Sequence, residues 1–310
     1  MKRIQQFDIA KGIGIILVVL GHSTIEMGHY LIYMFHMPLF FYLSGIFHRY
    51  DSFVNQLVNK INRLLVPFVV FLCILLFFNA ICGLDNGGGY LRPPHLRGII
   101  GPLWFLPSLF TVSILYNCIR PFRPIIILVI CMAIAFFCGY LPDRLGWNNY
   151  FYLFSSCSCL IFYCLGNLFG RKITSINKCW GWVTMIINIG LFVMIYLIAY
   201  KRMHFSIQDI FMNKHPENFI VWLSQSLIGI MMISSLSLLI DSNNPVARLL
   251  AYLGECSLYI FAFHYAILTI IHRIIPNPTF GVELFIIIFA ISIGCIIRLP
   301  FRKIVPAVFK

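Results

Sequence analysis

Ten apolar runs, each long enough to cross a bilayer as a helix, dominate this sequence. They lie at roughly 8–27, 30–48, 65–83, 103–119, 124–141, 151–169, 180–200, 218–240, 249–271 and 282–301. About 20 apolar residues span the hydrocarbon core as a helix. The connections are too short to fold by themselves, so residues 1–310 are expected to form one membrane domain. Hydrophobic residues make up 60% of the chain and charged residues only 11%. Soluble domains are roughly half apolar and a quarter charged, so a water-soluble globule is excluded. An aromatic content of 16% excludes a disordered chain. The expected fold is an all-α integral membrane bundle of about ten transmembrane helices.

The net charge of +13 carries topological information. Basic residues fall in short clusters between apolar runs, where they set orientation and touch anionic headgroups. No basic face exists apart from the spans, so nucleic acid is not expected as a partner. With the N-terminus inside, 14 Lys and Arg lie in cytoplasmic segments against 7 outside. N-in and C-in is therefore the expected orientation. The run after Met1-Lys2-Arg3 is expected to remain as the first membrane helix. Asp8 and Lys11 interrupt it, and no small-x-small site follows Gly21. The 11 cysteines contain no CxxC pair and sit mostly in apolar runs, so they read as packing residues, with no disulfide framework. Two outer connections, 84–102 with Gly87-Gly88-Gly89 and 201–217, are long enough either to join spans or to bind a substrate.

Charged groups within a span cost about 2.5–3.5 kcal/mol on insertion scales, so each needs a reason. The first span carries Asp8, Lys11, His22 and Glu26. At about 100° per residue, Lys11 and His22 share one stripe, roughly 16 Å apart along the axis. Asp8 is placed to pair with Lys11, and Glu26 is within one turn of His22. Gly12, Gly14 and Gly21 allow close helix approach. A short connection makes spans one and two a hairpin, bringing His36 to the depth of His22. His264 on the ninth span comes to a similar depth. A buried histidine can be a packing residue bonded to a neighbour, and three at one level can be a constellation. Their spacing matches no local zinc pattern, and no metal is expected.

A histidine can act as general base on a hydroxyl, with a neighbouring carboxylate such as Glu26 orienting it. Lys11, with Asp8 beside it, and Arg63 at the inner end of span three could hold a phosphate, with Arg49 adding to that clamp. A ligand with a phosphate head and a long thin arm would bridge Lys11 and His22. Acetyl-CoA has that shape, but one histidine and one lysine do not specify acyl transfer.

The run DIAKGIGIILVVLGH over 8–22 resembles the opening helix of the acyltransferase family 3 membrane proteins, in particular the branch called fucose 4-O-acetylase-like. FHMPLFFYLSG over 35–45 is similar to that family's second helix. RLLVP at 63–67, LWFLP at 103–107 and LGECSLY at 253–259 followed by His264 are similar to later blocks. The resemblance implies an integral-membrane O-acetyltransferase of about ten helices. It would move acetyl from cytoplasmic acetyl-CoA, as co-substrate, to a hydroxyl of a surface or lipid-linked glycan. His22 matches the family's first-helix histidine. Many members have arginine where this chain has Lys11, which keeps the charge without the bidentate fork. Acceptor selectivity is expected from the bundle and outer loops. The expected roles are His22 as base or transient acyl carrier, Glu26 as its orienter, His36 on the acceptor or oxyanion side, and Lys11 and Arg63 on the CoA phosphates. The family also implies a multi-pass cell-membrane location, in the bacterial inner membrane. The rival reading is a transporter or flippase for a lipid-linked saccharide; such proteins commonly show inverted repeats, and none is found here.

Overall fold

The computed structural model describes residues 5–25, 29–83, 91–92, 95–96, 98–146, 150–173, 178–201 and 219–304. Each of the ten apolar runs contains helix. Seven helices among the described residues are long and apolar enough to cross a membrane. Two shorter apolar helices, Leu31–Ile46 and Cys179–Ile195, accompany them. The all-helical expectation meets one exception. Strands Leu91–Arg92 (β1) and His95–Leu96 (β2) pair antiparallel in the connection before the fourth span.

The first helix, α1, is Gln5–Gly21. The second apolar run is broken into α2 (His29–Tyr33) and α3 (His36–Ile46). α10 (Phe219–Leu239) passes this break. There Ser226 Oγ donates to the Met34 carbonyl at 2.8 Å, and Gly229 leaves the space that the Phe35 ring fills. A buried carbonyl freed by a break would otherwise be unpaired. The third run is longer than the sequence indicates. α4 (Phe53–Lys60) leads through a π turn at Ile61–Leu65 into α5 (Val66–Cys82). Pro67 has no N–H to continue the regular ladder, and the wider turn precedes it.

The fourth run also begins early. A 3-10 segment, Gly98–Trp104, enters α6 (Phe105–Ile119), and it is buried from Ile99 to Trp104. The remaining helices are α7 (Pro124–Leu145), α8 (Leu153–Ile173), α9 (Lys178–Lys201), α11 (Pro245–Ile274) and α12 (Phe280–Ile304).

Two helix pairs form the centre, and glycine sets both. A Cβ at Gly12 of α1 would overlap the Leu250 carbonyl of α11. One at Gly254 of α11 would overlap the Asp8 carbonyl of α1. The two backbones therefore touch. α3 and α8 use the same reciprocal arrangement, Gly45 against Tyr163 and Gly166 against Tyr42. In a membrane the hydrophobic effect does not drive helices together, so such close packing supplies the association. All eleven cysteines are free thiols.

Candidate active site

α1 stops at Gly21 because side chains take its last carbonyls. Ser23 Oγ donates to the Leu20 oxygen at 2.7 Å, His29 Nε2 donates to the same oxygen at 3.1 Å, and Tyr33 Oη donates to the Gly21 oxygen at 2.5 Å. His22 is therefore the first residue beyond the helix. The apolar run 8–27 predicts it about five residues inside the span. Glu26, expected beside His22, lies outside the described residues.

The His22 ring stands on the wall of a cavity of about 360 Å³, which Tyr33, His29, His36, Trp104 and Tyr265 also line. Gly98, Gly101 and Pro102 of the 3-10 segment close one side. Ring centroids lie 5.1 Å from His22 to His264, 5.2 Å to Tyr265 and 6.0 Å to Tyr33. Among the described residues, nothing hydrogen-bonds the His22 ring.

The neighbouring imidazoles have fixed tautomers. Carbonyl oxygens only accept, so a ring nitrogen facing one must carry a proton. His36 Nδ1 donates to the Ile32 oxygen at 3.0 Å. His264 Nδ1 reaches the Ile260 and Phe261 oxygens at 3.0 and 2.9 Å. As neutral rings, both keep a lone pair on Nε2. His264 is fully buried behind the cavity wall, and among the described residues its Nε2 has no hydrogen-bond partner.

The expected depth match of His22, His36 and His264 is thus realised, and these residues come together. Lys11 and Arg63 are not among them. Lys11 Nζ pairs with Asp8 Oδ1 at 3.7 Å, as the spacing indicates, and sits 4.7 Å over the Phe47 ring. Arg63 is exposed in the π turn. Neither lines the cavity. Both lie toward the opposite end of the bundle, which has its own polar cluster. Asn167 Nδ2 donates to the Gly45 and His48 oxygens, both at 3.2 Å, and Asn167 Oδ1 accepts from Tyr116 Oη and Arg120 Nε. Burial, and then the cations Lys60 and Arg120, push the His48 imidazole down to about 3. Positive charge collects here.

Sequence reasoning missed His29, Tyr33, Trp104 and Tyr265. It also missed Glu283, a buried carboxylate at the start of α12. Glu283 Oε1 accepts from the Thr24 backbone N–H at 2.9 Å, and its Oε2 meets His272 Nε2 at 2.9 Å. It fastens the segment that follows His22. His29 carried a readable signal, lying seven residues from both His22 and His36; Glu283 carried one too, as a carboxylate within the apolar run 282–301. Among the described residues, no group of three or more His, Cys, Asp or Glu is placed to hold a metal ion.

A half-buried base on the wall of a cavity suits proton transfer, and the cations at the opposite end suit an anionic head group. Neither the curated proteins nor the solved structures compared with this chain give a match. The family model Acyl_transf_3, described as an acyltransferase domain, matches residues 4–299. Spanning nearly the whole helical bundle, that match shows that the chain belongs to this family of membrane acyltransferases.

Proposed function

We propose that this acyltransferase moves an acetyl group from acetyl-CoA to a hydroxyl of a surface or lipid-linked sugar. The observation that carries the reading is His22, a base on a cavity wall with no described hydrogen bond. It stands just beyond one end of α1, and Lys11 lies in the other half of that helix. A monosaccharide unit fits a cavity of about 360 Å³, and Trp104 offers it an aromatic face.

His22 takes the proton of the acceptor hydroxyl as the oxygen attacks the acetyl carbonyl carbon. The C–S bond then breaks, and the CoA thiolate takes the proton back from His22. The products are an acetyl ester and free CoA. His36 offers a lone pair rather than an N–H, so it orients the acceptor hydroxyl and does not serve an oxyanion. Lys11, with Asp8 beside it, and Arg63 hold the CoA phosphates; Lys60, next to Arg63, adds charge there. The arm of the donor covers the roughly 16 Å from Lys11 to His22.

This reading takes the ten helical segments as ten spans, with both termini in the cytoplasm, in a bacterial inner membrane. The fucose 4-O-acetylase-like branch agrees with a sugar acceptor. The test uses membranes holding wild type or His22→Ala, labelled acetyl-CoA and a pool of cell glycans. Label should enter glycan with wild type and fall at least 100-fold with His22→Ala. No transfer by well-inserted wild type would reject the reading in favour of saccharide transport. Equal transfer by both would reject the role of His22.

A further inference from the structure

His264 is the buried polar group that the reaction above leaves unused. It does not line the cavity, so it cannot touch an acceptor. Yet its ring centroid is 5.1 Å from that of His22, it is fully buried, and among the described residues its Nε2 has no hydrogen-bond partner. A buried acceptor without a partner is costly to leave unmet. Its own Nδ1–H is committed to two backbone oxygens of α11. The remaining lone pair can therefore only receive a hydrogen bond. Glycine contact between α1 and α11 holds the two rings at one level.

We propose that His264 is the positioning residue for His22: a small turn of the rings, which are not bonded in this structure, lets its Nε2 accept an N–H from His22, so that the other His22 nitrogen presents its lone pair to the cavity. The inference rests on the acyltransferase reading for its effect on rate, but the pairing itself does not. The need is physical. An imidazole that no group orients divides between two tautomers and rotates, and a base must be held in one of each. Carboxylates often do this work; here a second imidazole, its tautomer fixed by main-chain carbonyls, takes that place. When His22 gains the acceptor's proton, its bond to His264 becomes charge-assisted and shortens. His36 has the same fixed tautomer but faces the cavity, where substrate competes for its lone pair. His264 meets no such competition.

The experiment compares His264→Phe, which keeps ring volume and removes the acceptor, with His264→Gln, which restores an acceptor oxygen at similar reach. Full-length protein in lipid nanodiscs is labelled with nitrogen-15 histidine, and the His22 signals are assigned by their loss in His22→Gln. Acetyl transfer is followed with labelled acetyl-CoA and the glycan pool.

The expected result is a single His22 tautomer in wild type and in His264→Gln, and a mixture in His264→Phe. The maximal rate should fall roughly 10- to 100-fold in His264→Phe, with the KM for acetyl-CoA unchanged, and recover to within a few-fold in His264→Gln. Glu26→Gln should leave the His22 tautomer as in wild type. A mixed tautomer in wild type overturns the pairing. So does a single tautomer that survives His264→Phe, or one that Glu26→Gln destroys. Equal loss of rate in the Phe and Gln variants with unchanged His22 signals shows a packing role and also overturns it. If wild type transfers no acetyl group, the acetyltransferase reading fails, and the tautomer signals alone decide the pairing.

Discussion

The rings of His22 and His264 lie 5.1 Å apart, and each stands ten residues beyond a glycine at which α1 and α11 touch backbone to backbone. Gly12 precedes His22, and Gly254 precedes His264. The two helices run in the same direction, so an equal interval from a shared contact brings the two side chains to one height. The placement of the base is thus a matter of helix register, set about 15 Å away.

Gly254→Ala should cost both stability and activity. The added methyl meets the Asp8 carbonyl, a main-chain atom that can yield only if the helices separate. Overpacking of this kind costs about 1–3 kcal/mol. Gly190→Ala is the contrast. Its Cβ would enter open space within α9, and the better helix propensity should stabilise by roughly 0.5–1 kcal/mol. Thermal unfolding in detergent should move in opposite directions for the two variants.

Glu283→Ala should loosen the segment after His22. It leaves the Thr24 N–H and His272 without their acceptor. Thr24 is exposed and His272 half-buried, so water meets part of the loss and the net cost should be about 1 kcal/mol. The melting temperature should drop, and the maximal transfer rate with it. Glu283→Gln keeps an oxygen for Thr24 and should lie between wild type and Ala on both measures.

Lys11→Ala should raise the KM for acetyl-CoA by about tenfold or more, the worth of a charge-assisted contact, and change the maximal rate much less. Lys11→Arg should restore binding. A KM that Lys11→Ala leaves unchanged would remove Lys11 from the donor site.

His48 should make the fold sensitive to acid. Burial first, and then Lys60 and Arg120, lower its imidazole to about 3 in the folded chain, against the ordinary 6.5. The unfolded chain takes up a proton that the folded one refuses. Stability should therefore fall as pH drops below 6.5 and go on falling toward about 3. His48→Gln removes this term, so its unfolding curves should depend less on pH over that window.

The sequence reading succeeded where one helix suffices. The ten apolar runs all contain helix, because hydropathy over 20 residues is a local property. The common depth of His22, His36 and His264 was also legible, since depth follows from counting residues along a rod. The Asp8–Lys11 pair followed from spacing in one turn. Contacts between rods did not follow. The break at Met34–Phe35 was half legible, because Pro38 has no N–H for the Met34 carbonyl, but its repair depends on Ser226 and Gly229 of α10. The early stop of α1 depends on Tyr33 and His29 reaching back to its last carbonyls. Glu283 acts on a backbone amide 259 residues away. Arg63, chosen for its charge and its place at the end of a run, falls in a π turn that widens the helix before Pro67.

The contact of α1 with α11 also bears on how the protein is made. α1 leaves the ribosome long before its partner α11 is made. Asp8 and Lys11 must wait in the bilayer as a self-neutralising couple while most of the chain is still being synthesised. His22 meets His264 only when α11 arrives, and Thr24 is fastened only when α12 follows. A nascent chain without α11 and α12 has no finished centre, so biosynthesis itself withholds activity until both have been made.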